Sequence, residues 1–362
     1  MFQRIYVNNF RCLENFELSL KDISSALFIG KNGVGKSTIA KVLEIFQSIG
    51  RGTAAIKKLV DIYDFAFVNT EKPMRFEMDL ILHDVSYKYT LALKQFDEYE
   101  YLSLFEEKLI VSEEVVFHRC EEKEDGDFEF ISNHLIMLPL LHDQPGSNAI
   151  YNLRNWLARL IILSPIPNLM MGDSNNETLE VNRDGTNIGD WFSGLLGRYP
   201  AAYRDIDNYL REVIPDFSSI ENELVTKQSK TLFVSFGDEE KLSVEFKRLS
   251  DGEKCFFLGA LVLAFSKYCN PSFCFWDEPG NYISLSEVGY LVMALRRAFE
   301  NLSGGQLLMT SHNIEAIHKF SSEKTFFLDR KSHWEPTLIR PLSEISIDGD
   351  LIDNLVMGDI EL

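Results

Sequence analysis

The chain holds few cysteines, and none of them are paired in a metal-binding spacing. Cys12, Cys120, Cys255, Cys269 and Cys274 make five, an odd number, with no C-x-x-C among them. That pattern disfavours both a zinc site and a disulfide framework, and it fits a reducing compartment. Long hydrophobic runs are missing as well. The longest, Phe256 to Phe265, has ten residues, too few to cross a bilayer, so no membrane partner is expected. Met1-Phe2-Gln3-Arg4-Ile5 does not lead from a basic region into an apolar stretch, so no signal peptide and a cytoplasmic location are expected. Positive charge is in deficit, the net charge being −19. A protein that coats DNA usually presents a basic surface, because neutralising phosphates supplies most of its affinity. DNA binding through a local groove stays open but is not favoured. No internal repeat, low-complexity linker or sustained heptad is present, which excludes a solenoid and a long coiled-coil arm.

The 362 residues, 45% hydrophobic and 25% charged, suffice for one large domain or two modest ones with a sizeable core. Acid is concentrated between Asp97 and Glu129, where thirteen acidic residues face three basic ones, and in the tail beyond Arg340, which has no Lys or Arg. Such runs are ordinarily solvated faces; the sharper alternative is a docking surface for a basic partner.

Residues 2–29 read as strand, turn, strand, ending in the apolar run Ala26 to Ile29. Helical spacing through Ile39, Val42, Leu43 and Phe46 predicts a helix over 37–49, closed by Gly50-Arg51-Gly52. Alternation predicts a hairpin, 75–82 and 85–93, around His83-Asp84, with 105–117 continuing an antiparallel sheet. Residues 150–163, 188–196 and 201–214 read as helices, and 231–236 and 242–246 as strands.

Gly30-Lys31-Asn32-Gly33-Val34-Gly35-Lys36-Ser37 is a G-x-x-x-x-G-K-[ST] phosphate loop in its required place, after an apolar strand and opening a helix. Glycine is needed there because backbone N–H groups must close on the β-phosphate. Asn32, Gly33, Val34, Gly35, Lys36, Ser37 and Thr38 are the candidate nucleotide ligands. Lys36 is assigned to the β/γ-phosphates and the Ser37 hydroxyl to Mg²⁺. The run Phe273 to Trp276 reads as a buried strand ending in Asp277-Glu278. Two carboxylates at a strand end beside a phosphate loop divide the work: Asp277 holds Mg²⁺ and Glu278 polarises the attacking water.

Leu302-Ser303-Gly304-Gly305-Gln306 matches the ABC signature by letter but joins a helix to a strand, where Ser-Gly-Gly is a turn. A signature must open a helix whose N-terminus faces phosphate. Leu249-Ser250-Asp251-Gly252-Glu253 does so, ahead of the apolar helix 253–265; Ser250, Asp251, Gly252 and Glu253 are therefore candidate nucleotide contacts from a second molecule. Ser311-His312 follows the strand 307–310, and His312 is a candidate sensor of the γ-phosphate.

With these motifs in this order, the chain resembles the ABC-type ATPases of the RecF, OLD and SMC-like group. The likeness is carried by about 1–118 and 240–335. It implies an α/β fold: an ABC-type ATPase head, with a mixed sheet core, an antiparallel β subdomain and a mostly helical insertion. The corresponding division is an N-terminal lobe over 1–119, an insertion over 120–240 and a C-terminal lobe over 241–362. The start Ile5-Tyr6-Val7-Asn8-Asn9-Phe10-Arg11 resembles the group's, which makes Arg11 a candidate near the nucleotide. ATP and Mg²⁺ are the implied cofactors, and a homodimer closed around ATP the implied assembly. Many relatives have Glu-Asn-x-Leu-His after the catalytic pair, whereas this chain has Gly280-Asn281-Tyr282-Ile283-Ser284. Asn69 is the one candidate for the group's glutamine-bearing loop. OLD nucleases continue into a metal-dependent nuclease domain; only about 50 residues follow His312, so none is expected here. The resemblance implies an ATPase gating a separately encoded effector, a nuclease or toxin, in anti-phage defence. The alternative is a RecF-like DNA-repair clamp. A transporter subunit fits poorly with the Phe10-Arg11 start and the insertion.

Overall fold

The structure, a computed structural model, describes residues 1–95, 101–120, 132–141, 148–226, 229–270 and 272–345. Much of the acidic run (97–100 and 121–129) and the tail with Asp348-Gly349-Asp350 lie outside these residues. The chain divides into two compact units, Met1–Ile23 with Phe28–Ala158 and Ser322–Leu362, and Ser24–Leu27 with Arg159–Ser321. One cut falls between Ala158 and Arg159.

The first unit is built on a six-stranded antiparallel sheet. Its strands are β1 (Phe2–Asn8), β2 (Phe16–Ser19), β4 (Met74–Leu82), β5 (Val85–Gln95), β6 (Leu102–Val111) and β7 (Glu114–Cys120), in the order β2-β1-β4-β5-β6-β7. Strand β3 (Ser25–Ile29) and helix α1 (Lys36–Gly50) come between β2 and β4 in the chain. The period-2 pattern has its cause in burial: Met74, Phe76, Met78, Leu80 and Leu82 of β4 all turn inward. His83 and Asp84 turn β4 into β5 with φ of 49° and 63°, and Ser112 and Glu113 turn β6 into β7 with 48° and 72°. Positive φ at both central residues is the geometry whose twist matches a two-residue hairpin. Helix α1 packs its apolar stripe (Ile39, Val42, Leu43, Phe46) inward, Phe46 lying against Tyr89. Helix α2 (Asn148–Ala158) follows, with Trp156 edge-on to Phe2.

One member of the acidic run is not solvated. Glu107 is fully buried; its carboxylate accepts the Met137 and Leu138 N–H groups (2.7 and 2.9 Å) and the Tyr89 hydroxyl (3.0 Å), with Arg119 at 3.7 Å. Alternation along β6 places it on the core face, and its bonds tie residues 137–138 to the sheet. Glu113 and Glu114 remain exposed.

In the second unit, β8 (Ile161–Leu163) pairs in parallel with β13 (Phe273–Asp277), and β13 with β14 (Gln306–Thr310). The helix expected over 150–163 therefore stops at Ala158. Ile161-Ile162-Leu163 is apolar on every side, so periodicity cannot tell strand from buried helix, and pairing with Cys274–Trp276 decides. Next come β9 (Asp173–Ser174), α3 (Ile188–Arg198) and α4 (Ala202–Val213), then β10 (Phe217–Leu224), β11 (Lys230–Phe236) and β12 (Leu242–Glu245). β9 to β12 form a small antiparallel sheet. Helix α5 (Asp251–Tyr268) is apolar on all faces and largely buried, as a core helix must be. Helices α6 (Leu285–Glu300) and α7 (Ile314–His318) flank β14 in the chain. The first unit ends in an antiparallel pair, β15 (Thr325–Asp329) and β16 (Leu338–Pro341). No described helix is long and apolar enough to cross a membrane.

Candidate active site

The candidate residues fall into two clusters, one in each unit. In the first, the phosphate loop links β3 to α1. Gly35 is the N-cap of α1 with φ of 102°, and a Cβ there would stand 2.8 Å from both Cys12 Sγ and Thr337 Oγ1. A Cβ on Gly30 would stand 2.2 Å from the Leu328 carbonyl oxygen. Both positions therefore exclude side chains on steric as well as torsional grounds. Thr337 clasps the loop: its hydroxyl donates to the Val34 carbonyl (2.8 Å) and its N–H to the Cys12 carbonyl (2.8 Å).

Lys36 is buried, and its ammonium donates to the carbonyls of Gly30 (2.6 Å) and Lys31 (3.2 Å). Its charge is thus held directly over the loop, where an anion would be met. A cavity of about 330 Å³ opens there, lined by Asn32, Gly33, Gly35, Lys36, Ser37 and Thr38 of the loop, and by Arg11, Cys12 and Arg330. Val34 is buried beneath it, whereas Ser37 is exposed. Arg11 takes a left-handed backbone (φ 52°); its N–H donates to the Asp64 carbonyl and its Nε to Asp64 Oδ1, both at 2.7 Å. Asp64 so fixes the guanidinium at the cavity wall. Asn69 stands elsewhere in this unit, its Oδ1 accepting the Glu71 N–H (3.1 Å) as a turn cap.

The second cluster sits at the ends of β13 and β14. Thr310 is fully buried, and its hydroxyl joins the two carboxylate residues: it donates to Asp277 Oδ1 (2.6 Å) and accepts the Glu278 N–H (3.0 Å). Parallel register makes the meeting possible, since Asp277 and Thr310 are direct partners. Asp277 Oδ2 faces the Arg183 guanidinium at 3.5 Å. Glu278 has φ of 53°, rare for a residue with a Cβ and a strain of about 1 kcal/mol that functional sites retain. Its Oε2 accepts the His312 N–H (3.2 Å), and Oε1 lies 3.5 Å from His312 Nε2. Glu278 and His312, 34 residues apart in sequence, are thus in direct contact.

Ser250 caps α5 by a reciprocal box: its hydroxyl accepts the Glu253 N–H (3.3 Å) and Glu253 Oε2 accepts the Ser250 N–H (2.7 Å). Asp251 and Gly252 occupy the first turn, and a Cβ on Gly252 would stand 3.2 Å from the Tyr282 carbonyl oxygen. Leu302 to Gly305 form a turn between α6 and β14, with Gly304 at φ 79° and the Gly305 N–H donating to the Leu302 carbonyl (3.1 Å). That string opens no helix.

Sequence reasoning missed Cys12, Arg330, Thr337, Thr310 and Arg183. None stands in a motif; only strand register and loop return bring them in. Ser37 and Asp277 offer hard oxygen donors suited to Mg²⁺, and no described group of three or more His, Cys, Asp or Glu residues could cage a metal.

Among solved structures, the chain is similar to the SMC head bound to the C-winged helix domain of ScpA, at 13% identity and a TM-score of 0.59, over 95% of this chain and 98% of that one. It is likewise similar to an Smc head with an extended coiled coil bound to the C-terminal domain of ScpA derived from Pyrococcus furiosus, at 12% identity and a TM-score of 0.56, over 95% and 97%. At these identities the likeness shows the fold, that of an SMC ATPase head. None of the curated proteins matches the chain. The profile of the family described as "AAA domain, putative AbiEii toxin, Type IV TA system" matches residues 25–317. The chain belongs to this AAA family.

Proposed function

We propose that the chain binds and hydrolyses ATP as a cytoplasmic homodimer closed head to head around the nucleotide, and that this cycle gates a separately encoded effector in anti-phage defence. Lys36 and the loop N–H groups bind the β- and γ-phosphates, and Arg11 neutralises charge beside them. Ser37 and Asp277 would hold Mg²⁺, which supplies charge neutralisation on the phosphate oxygens. Glu278 takes the proton of the attacking water, and His312 holds Glu278 while contacting the γ-phosphate. Ser250 to Glu253 at the start of α5 present N–H groups to the nucleotide of the second copy.

The observation that carries the reading is the Asp277–Thr310–Glu278–His312 chain of contacts, which supports Glu278 as a base held by orienting groups. The family description, with its toxin–antitoxin term, supports an effector in a defence setting. The solved heads are bound by a ScpA domain, which supports a protein partner. The net charge of −19 favours that partner over DNA. Lys36→Ala should abolish ATP binding, and Glu278→Gln should bind ATP with turnover slowed about 10²- to 10⁴-fold while accumulating as a dimer. Tight ATP binding by the first variant, or undiminished turnover by the second, would sink the assignment. DNA retained by the ATP-bound Glu278→Gln protein, with no protein partner, would favour the repair clamp.

A further inference from the structure

Arg183 lies in the loop between β9 and α3, in a segment no motif covers. The loop is braced from within and from β8. The Ser164 N–H, just past β8, donates to the Arg183 carbonyl (2.8 Å), and the Ile166 N–H to the Asp184 carbonyl (3.0 Å). The Asn182 N–H donates to Asn187 Oδ1 (2.8 Å) and the Thr186 N–H to Asp184 Oδ1 (3.0 Å). β8 is paired to β13, so these bonds deliver the guanidinium to the end of β13, with Nη2 3.5 Å from Asp277 Oδ2. The Asp277 side chain is 11% exposed and that of Arg183 32%. Among its contacts, Oδ1 meets the neutral Thr310 hydroxyl and Oδ2 a permanent cation.

We propose that Arg183 is a positioning residue that balances Asp277 Oδ2 while no divalent cation is there, and yields that oxygen when nucleotide brings one, so that loop 182–187 reports metal occupancy. The inference rests on the reading of Asp277 as a metal-side carboxylate. A guanidinium and a divalent ion within ~4 Å of one half-buried oxygen repel each other. The Thr310 hydroxyl, being neutral, can stay. Arginine does not deprotonate in the working pH range, so the competition is relieved only by movement of the side chain. Movement of Arg183 loads the backbone that Ser164 and Ile166 hold, which couples the metal to a loop of the insertion.

The test uses Mn²⁺ as probe, its free concentration followed by electron paramagnetic resonance, with the full chain saturated by the β,γ-imido analogue of ATP. Arg183→Gln should bind Mn²⁺ about three- to ten-fold tighter than the wild type, the scale of a partly exposed ion pair removed. Arg183→Lys, which keeps the charge, should stay near wild type. Unchanged or weaker Mn²⁺ binding by Arg183→Gln overturns the proposal. Asp277→Asn separates the two readings: if it binds Mn²⁺ as the wild type does, the metal assignment itself fails. Hydrogen exchange of the Ser164 amide gives a readout on the unaltered protein. It should quicken severalfold when Mn²⁺ is added to the nucleotide complex, and an unchanged rate overturns the loop coupling.

Discussion

Glu107 shows how one side chain sets a pH dependence far from any motif. Burial lifts its carboxyl above the ordinary value of 4.5, against the Met137 and Leu138 N–H groups, the Tyr89 hydroxyl and Arg119, which pull it down. In the unfolded chain the group ionises near 4.5 and in the folded chain only at higher pH. Between those two values the native state binds more protons than the unfolded one, so this group's contribution to stability falls as pH rises and is level above the folded value. Glu107→Gln removes the titration. Its melting temperature, minus that of the wild type, should rise with pH from pH 4 upward and then plateau. Thermal melts from pH 4 to 8 check this; a flat difference contradicts it. At this scale the sequence offers candidates where chemistry dictates a residue type, as at Lys36, Asp277 and Glu278. It was silent at Glu107, Thr310 and Arg183, whose partners are supplied by strand register and loop return rather than by neighbours in the chain.

Among the elements, α5 joins a candidate site to a core. Its first turn is closed by the Ser250–Glu253 box, and the rest is buried, with Gly259 facing Tyr209 of α4 and Leu291 of α6. The start of α5 was legible because the apolar run 253–265, long enough for a helix, directly follows Ser250 to Gly252. The turn at Leu302 to Gly305 was legible for the same reason: what precedes and follows it fixes its role. β8 was not legible, because a three-residue strand is stabilised by a partner more than a hundred residues away. The buried Tyr209 hydroxyl has no hydrogen-bond partner among the described residues, and burial pushes its acidity far out of range. An unpaired buried hydroxyl is a net cost. Tyr209→Phe should therefore hold or raise stability by up to ~1 kcal/mol in urea titration. A loss of more than that would show that the hydroxyl is satisfied.

For the whole molecule, the candidate machinery is distributed over the chain. The phosphate loop and Arg11 belong to one unit, and Asp277, Glu278, His312 and the start of α5 to the other. The resemblance read from the motif order gave the fold, which the SMC heads share. On the proposed reading, a complete site takes Ser250 from a second copy. Such a site predicts complementation between two inactive chains. Lys36→Ala lacks nucleotide binding but keeps its signature; Ser250→Arg keeps its phosphate loop but blocks the signature. Steady-state ATPase activity of the two variants, alone and mixed in equal amounts, is the most direct measurement. Each alone should be inactive. The mixture should recover about a quarter of wild-type activity, since half the dimers are mixed and each carries one intact site. A mixture no more active than its separate components would contradict a site shared between two copies.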